Sequence, residues 1–348
     1  MKLSVHLVTW NGAKYIPYLF DSLKKQSFRD WFLLIVDNNS QDNTVEIIKK
    51  ELENFSIQYK LIENKTNTGF APGHNLAYYD TNSEYFLLLN QDMYLSPDCL
   101  EKMVGYLDKN LDTAAVSPRL MKWDFNKIAE GGLEKSFSEQ IDAMGIKVFR
   151  SRRVIEQYTQ QNWNDLKNNF TGDAMEVFGV SGAFPMYRRS AIKEMEFSNG
   201  DFLDADYHSY KEDVDLAYRV CSRGYKSAVL LGAQAFHDRS GAGPKEMSDS
   251  AAMKNKTTHS PWVKYHSYKN HLMTIYKNEY WQNFILDLPH ILWYELKKFV
   301  YFFLFDRKVL SGLLEIWRMR RGLLEKRKLI TKLRKSDYKE MRKRWTKK

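Results

Sequence analysis

The sequence predicts an α/β protein built on an open, mostly parallel sheet with helices on both faces, followed by a helical extension at the C-terminus. Strand and helix patterns alternate from Leu3 to about Ser117. The strands are near-continuous apolar runs, as strands covered on both faces are. Polar clusters at Asp37, Asn67-Thr68-Gly69 and Asn90-Gln91-Asp92 each fall at a strand end or in the loop that follows, where open sheets bind ligands.

The elements follow in order. Leu3 to Thr9 is an apolar, β-branched strand closed by the Asn11-Gly12 turn. Tyr15 to Lys25 carries Ile16, Leu19, Phe20 and Leu23 at helical spacing. Trp31 to Val36 is a second buried strand and Asn43 to Glu53 a second helix. Gln58 to Ile62 reads as a third strand, followed by a helix to about Asp80. Tyr85 to Leu89 is the fourth strand, Pro97 opens a helix to about Lys109, and Ala114 to Ser117 is a short fifth strand. The stretch from Lys122 to Gly172 is polar and weakly periodic and reads as loops and short elements over the sheet. Met175–Val180 and Ala183–Tyr187 flank Ser181-Gly182 as strands, and Arg188-Arg189-Ser190 leads into a helix.

A further helix starts among Glu212, Asp213 and Asp215, with Leu216, Val220 and Cys221 at helical spacing and Gly224 beyond its end. A short strand, Ala228 to Leu231, then leads to His237. Carboxylates at a helix start complement the helix dipole, so this cluster has a purely structural reading as well as a catalytic one.

Composition narrows the class. The chain has 348 residues, enough for one large domain with an appendage or for two domains. Cys99 and Cys221 stand far apart, which excludes a disulfide framework and points to a reducing compartment. The first residues enter a strand pattern without the apolar segment of a signal peptide. The net charge of +10 is uneven: Arg307 to Lys348 holds 17 Lys and Arg against 4 Asp and Glu, so the rest is slightly acidic. That distribution argues against nucleic acid as the partner of the sheet domain. From Trp281 to Phe305 the chain is rich in aromatic and aliphatic residues, yet its longest uncharged apolar run, Phe299 to Phe305, is far too short to span a bilayer. Aromatic helices before a basic tail suit a membrane interface; a helical subdomain packed on the sheet is the alternative. The expected division is 1–245 for the catalytic domain and 246–348 for the aromatic and basic helical region.

There is no G-x-x-x-x-G-K-[ST] loop and no G-x-G-x-x-G after the first strand. A carboxylate just past a strand end, as at Asp92, offers another way to handle phosphates, by holding a divalent ion that bridges two of them. His237 is a candidate second ligand, and Asp37 a candidate acceptor for the imide N–H of a nucleobase.

These residues carry a resemblance. V-T-W-N at Val8–Asn11, V-D-N-N-S at Val36–Ser40, N-T-G-F-A-P-G-H-N at Asn67–Asn75 and L-N-Q-D at Leu89–Asp92 come first. G-V-S-G-A-F at Gly179–Phe184, E-D-V-D-L at Glu212–Leu216 and Phe236-His237 follow. In this order they resemble glycosyltransferase family 2, the inverting nucleotide-sugar transferases of GT-A fold, and most closely its bacterial rhamnosyltransferase-like members. The matching segments span about two thirds of the chain.

The resemblance implies roles. Thr9, Asn11 and Asp37 would hold the nucleoside, with Asn67 and Gly69 bordering it and Asn90 and Gln91 on the nucleotide-sugar. Asp92 and His237 would hold Mg²⁺ or Mn²⁺, the imidazole favouring Mn²⁺. Asp213 would be the catalytic base, with Gly182, Glu212 and Asp215 on the acceptor side, the last two orienting the helix start or the acceptor. The family's Asp-x-Asp metal motif here begins with Asn90, which removes one carboxylate. The implied activity is transfer of a sugar, dTDP-rhamnose or a UDP-sugar being the expected donor, to a hydroxyl of a saccharide or lipid-linked glycan. The implied setting is cell-surface polysaccharide synthesis on the inner face of the cell membrane. Two other classes compete. A sugar nucleotidyltransferase needs a glycine-rich basic loop after the first strand, where this chain reads W-N-G-A-K-Y. A non-catalytic scaffold has no use for both Asp92 and Asp213.

Overall fold

A computed structural model describes residues 1–239 and 260–345. The first half forms as the apolar pattern predicts: β1 (Leu3–Thr9), α1 (Ile16–Lys24), β2 (Trp31–Asp37), α2 (Thr44–Leu52), β3 (Tyr59–Glu63), α3 (Phe70–Tyr79) and β4 (Tyr85–Leu89). β1 pairs in parallel with β2 and β4, and β2 with β3. Thr9 lies opposite Asp37, Asp37 opposite Glu63, and Leu7 opposite Leu89. These registers end the strands nearly level, so their loops emerge along one edge.

The second half departs from the expectation in detail. β5 (Met93–Leu95) precedes α4 (Cys99–Lys109), and the short fifth strand proves to be the eleven-residue β6 (Thr113–Trp123). The polar stretch after Lys122 is more ordered than its weak periodicity implies. It holds two single turns, α5 (Ile128–Gly131) and α6 (Leu133–Ser136), then β7 (Phe137–Ala143), the β8 (Ile146–Val148) and β9 (Val154–Glu156) hairpin, and α7 (Trp163–Leu166). β10 (Ala174–Val177), β11 (Met186–Arg188), α8 (Arg189–Lys193), α9 (Glu212–Ser222) and the long β12 (Lys226–His237) complete the sheet domain. The main sheet runs β10-β12-β6-β11-β4-β1-β2-β3, with β5 added to β12 and β7 to β6. It is mixed: β11 runs antiparallel to both β4 and β6, whereas β12 runs parallel to β6. One apolar layer, including Leu7, Leu19, Ile35 and Leu100, lies under the sheet; a second, including Phe86, Met121, Phe202 and Leu216, packs around α9.

The C-terminal region comprises α10 (Pro261–Asn278), α11 (Trp281–Phe305), α12 (Ser311–Leu333) and α13 (Tyr338–Lys343). The boundary expected at 245/246 lies outside the described residues. These helices dock on the sheet domain through buried ion pairs. Lys277, fully buried on α10, bridges Asp204 and Asp215, the latter at 2.8 Å. Asp287, fully buried on α11, receives Arg150 at 2.8 Å, Arg152 at 3.1 Å and Arg342 at 2.8 Å.

The burial of α11 is inverted relative to an ordinary globular helix. Its buried positions, Asn283, Asp287, Ile291, Lys298 and Phe302, are mostly polar or charged. Its exposed positions include Trp281, Ile285, Leu286, Leu292, Trp293, Leu296, Phe303, Leu304 and Phe305, with Trp293 at 62% and Phe305 at 66% exposure. Leu314 and Trp317 on α12 are exposed as well. The region packs on the sheet domain by a polar face and leaves an apolar face uncovered. Among the described residues no helix is long and apolar enough to cross a membrane.

Candidate active site

The level strand ends open into a cleft of about 730 Å³. Thr9, Asn38, Asn67, Gly69, Asn90, Gln91 and Asp92 line it, and His208, Ser209 and Trp262 complete the lining, His208 lying against Gly69. The loops are tied to one another through side chains. Gln91 Oε1 accepts from the Thr9 hydroxyl at 2.5 Å and the Trp10 N–H at 2.9 Å, while Gln91 Nε2 donates to the Trp10 carbonyl. Asn38 Nδ2 donates to the Gly69 carbonyl at 3.0 Å, and Asn38 Oδ1 accepts from Asn64 and Thr68. Asn67 caps its own turn by accepting the Gly69 N–H at 2.9 Å. Gly69 has φ +94°, and a Cβ there would sit 2.8 Å from the His208 ring, so only glycine fits.

Asp37 and Asn11 sit apart from the cleft lining. Asp37 is 2% exposed, and its two oxygens accept the Ser40 N–H at 2.9 Å and the Ser40 hydroxyl at 2.5 Å. Ser40 in turn receives the Asn11 N–H, and the Asn11 side chain accepts from the Gln41 N–H. These two residues thus latch the β1 and β2 loops together. Asn38, next to Asp37, is the one that reaches the cleft.

Asp92 and His237 face each other, with His237 Nε2 3.4 Å from Asp92 Oδ1. The antiparallel pairing of β5 with β12 sets this, since Met93 lies opposite His237. The other ring nitrogen, Nδ1, is held at 2.9 Å by Asp142, a buried residue of β7. Burial works against a charge on this imidazole, but Asp92 and Asp142 outweigh it and hold the pKa of His237 well above the usual value. Asp142 is kept ionised against its own burial by Arg239 and His237. An imidazole fixed at one nitrogen by a carboxylate, with the other aimed at a second carboxylate, is the donor set of an oriented metal ligand. Among the described residues no group of three or more His, Cys, Asp or Glu forms a self-sufficient metal site. Two protein ligands fit a cation that completes its shell with substrate phosphates and water. Asp142 was missed in the sequence because a lone aspartate in a polar stretch carries no spacing signal.

The base candidate lies one short loop away. Asp213, partly exposed at the start of α9, accepts the Gly182 N–H on Oδ2 at 3.1 Å and the Val214 N–H on Oδ1 at 2.7 Å. The next residue, Ala183, accepts the Asn90 N–H at 3.1 Å. The two-residue step Gly182-Ala183 therefore joins the base to the Asn90–Asp92 loop. Burial raises the pKa of Asp213, while Lys211 and the backbone donors restrain the rise. A raised but restrained pKa suits a carboxylate that must accept a proton during a reaction.

Of the two roles expected for Glu212 and Asp215, orienting the helix start or the acceptor, the contacts of Asp215 match the first. Asp215 is fully buried, bound by Arg219 at 3.1 Å, Lys277 at 2.8 Å and Asn278 at 2.8 Å. Burial pushes its pKa up, but Lys277 and Arg219 more than reverse that. It anchors α9 to α10 and is not open to an acceptor; its key partner, Lys277, lies too far along the chain for local pattern to reveal it. Glu212 is 6% exposed, and its Oε2 has no hydrogen-bond partner. Burial and then the charge of Asp213 push its pKa up to about 8. Burial and the neighbouring carboxylate thus both disfavour its ionised form.

That shift has a stability consequence. Glu212 is an acid whose folded-state pKa lies above its ordinary value of 4.5. Its contribution to stability is therefore complete below pH 4.5 and declines as the pH rises toward about 8. Glu212→Gln removes this ionisation. Thermal melts across this range should fall with pH more steeply in the wild type than in Glu212→Gln; parallel curves would contradict the assignment.

The comparisons with known proteins agree with this geometry. In sequence the chain resembles the O-antigen chain rhamnosyltransferase RfbN of Salmonella typhimurium strain LT2, 25% identical over 68% of this chain and 66% of RfbN. It also resembles the poly(ribitol-phosphate) beta-N-acetylglucosaminyltransferase TarS of Staphylococcus aureus strain Mu50, 32% identical over 32% of this chain. It spans only 19% of the length of TarS. In structure it resembles GalNAc-T7, crystallised with UDP, GalNAc and Mn²⁺, with a TM-score of 0.58 at 12% identity over 80% of this chain and 48% of that one. These structural neighbours are GT-A glycosyltransferases, so the mixed sheet with its flanking helices is the GT-A fold. The model of the family "Glycosyl transferase family 2" matches residues 4–196, more than half of the chain. With Asp92 beside His237 and Asp213 joined to the Asn90 loop, the chain belongs to glycosyltransferase family 2.

Proposed function

We propose that the protein is an inverting, metal-dependent transferase that moves a sugar from a nucleoside diphosphate donor to a hydroxyl of a saccharide or lipid-linked glycan, in the synthesis of a cell-surface polysaccharide. The observation that carries this reading is the short connection, through Gly182 and Ala183, between the Asp213 carboxylate and the loop bearing Asp92. It sets an acid–base group beside a site suited to a diphosphate.

In this reading the cleft loops hold the donor. Asn38, Asn67 and the Gly69 backbone border the nucleoside, with Asp37 and Asn11 keeping their turns in place. Thr9 and Gln91 fix the β1 and β4 loops against each other so that the donor meets a preformed wall. Mg²⁺ or Mn²⁺ held by Asp92 and His237 would supply positive charge to the departing diphosphate, and Asp142 keeps His237 turned toward that place. Asp213 takes the proton of the acceptor hydroxyl as that oxygen attacks the anomeric carbon from the face opposite the diphosphate. One base and one displacement invert the configuration. Similarity to RfbN supports dTDP-rhamnose as donor, and the UDP bound to GalNAc-T7 supports a UDP-sugar as the alternative. A panel of nucleotide sugars, assayed for nucleoside diphosphate release, tests this. The expected result is release from a dTDP- or UDP-sugar; release from none of them, or from a GDP-sugar alone, contradicts the donor assignment.

The same reading places the enzyme on the inner face of the cell membrane. The inverted helix α11 supports it, because an apolar face of this extent is costly in water and suits a lipid interface. Arg307, Lys308, Arg318, Arg320, Arg321, Lys328 and Lys332 are exposed along or beside that face and complement anionic headgroups. Each contributes about 1 kcal/mol near such a surface, screened by salt. Flotation with liposomes should show binding that requires anionic lipid, weakens at high salt and falls when Trp293 and Phe303 are both changed to serine. Equal binding to neutral vesicles, or none, contradicts it.

A further inference from the structure

Part of the cleft lining, beside Gly69 and His208, comes from the C-terminal region. Trp262, in the first turn of α10, lines the cleft and is 47% exposed. Tyr210, 40% exposed, lies with its ring centroid 5.8 Å from that of Trp262 at an interplanar angle of 68°. His208 and His266 flank the indole at 5.9 Å and 4.5 Å.

The turn that presents Tyr210 is strained. His208, Tyr210 and Lys211 all take positive φ, at 59°, 70° and 73°. Such conformations in residues other than glycine persist only where their surroundings impose them, and they gather at functional sites. Here α10 imposes them: Asn270 Nδ2 reaches the carbonyls of Tyr207, Ser209 and Tyr210 at 3.0, 2.9 and 2.7 Å. Lys211 is the cap of α9, and Asp213 stands two residues later. One helix therefore supplies the exposed indole, and through Asn270 holds the turn that places both Tyr210 and the base.

The chemistry of this corner differs from that of the Asn90–Asp92 loop, which is rich in amides and carries the Asp92 carboxylate. The two exposed rings offer apolar faces. The flanking imidazoles are neutral at physiological pH, since burial lowers the pKa of His208 and takes that of His266 to about 4. A neutral aromatic corner does not attract a phosphate. It suits a ligand with one apolar face and a hydroxylated rim, which describes a pyranose ring.

We propose that Trp262 and Tyr210 form the acceptor subsite, stacking on the apolar C–H face of an uncharged pyranose and delivering its hydroxyl to Asp213. The proposal rests on the transferase reading above. It makes the C-terminal region a working part of the active site, and makes Trp262 a determinant of acceptor specificity.

Saturation-transfer NMR with a set of methyl pyranosides, in the presence of dTDP or UDP and Mn²⁺, tests it. Calorimetry in the same samples measures the nucleotide separately. For the wild type, saturation transfer to the ring C–H protons of at least one pyranoside is expected. Trp262→Ala should weaken that binding about ten-fold or more, and Trp262→Phe, which keeps a ring, should recover most of it. Nucleotide affinity should be the same in all three proteins. Wild type that binds nucleotide but no pyranoside overturns the subsite and leaves the transferase reading standing. Loss of nucleotide affinity in Trp262→Ala assigns the indole to the donor and overturns the proposal too. Wild type that binds neither ligand contradicts both readings.

Discussion

Asp213→Asn should lose about 10²–10⁴-fold in transfer rate while binding nucleoside diphosphate with wild-type affinity. The asparagine oxygen can still accept the Gly182 or Val214 N–H, so the start of α9 keeps its shape. What is lost is the ability to take a proton. A carboxylate suffices for that task because the acceptor hydroxyl becomes acidic as its oxygen bonds to carbon. Burial raises the pKa of Asp213, which makes it a better acceptor. The same substitution in Asp215 has a different signature. Asp215 is fully buried against Lys277 and Arg219, so Asp215→Asn should lower the thermal midpoint, by breaking buried ion pairs, more than it changes turnover of the folded fraction. Asp213→Asn with near wild-type turnover would remove this residue from the mechanism and return the helix start to a structural role.

Asp92→Asn should reduce turnover by about 10²-fold or more, and exhaustive chelation of the wild type should do the same. Asp92 contributes the only carboxylate of the Asn90-Gln91-Asp92 segment, so in the proposed site its loss removes one of the two candidate ligands among the described residues. Asp142→Asn is the finer test. It touches neither substrate nor metal, yet it loosens the ring that Asp142 holds through Nδ1. A carboxylate in that position is worth about 10–100-fold in metal affinity. Titration of Mn²⁺ followed by electron paramagnetic resonance should show that weakening directly, without reference to turnover. Full activity after chelation, or unchanged Mn²⁺ affinity in both variants, would contradict the metal site.

The parts of the molecule differ in how far the sequence reveals them. The strands β1 to β4 are short apolar runs with polar ends, and their parallel pairing follows from that pattern, so the sequence alone places the cleft-forming loops. Asn38 stood within the V-D-N-N-S segment, but which of Asp37 and Asn38 turns inward depends on the Ser40 contacts, which local pattern does not encode. β6 and β12 are far longer than their apolar stretches because Arg119 and Gln234, polar residues in mid-strand, satisfy each other across the pair at 3.0 Å. Asp142 and Asp215 owe their roles to partners 95 and 62 residues away, His237 and Lys277. The aromatic content of Trp281 to Phe305 was visible at once. Its inverted burial was not, since a helix does not announce which of its faces will meet the protein.

The central claim, a single displacement at the anomeric carbon promoted by Asp213, is tested most directly by the configuration of the product. NMR of the product formed from an α-linked nucleotide sugar, or from a β-linked one such as dTDP-β-L-rhamnose, reads the one-bond C1–H1 coupling of the new linkage against that of the donor. The expected spectrum shows the opposite anomer, formed with one equivalent of nucleoside diphosphate and absent from the Asp213→Asn reaction. A product with the donor's own anomeric configuration would require two displacements, or attack from the face of the leaving group, and would contradict the account.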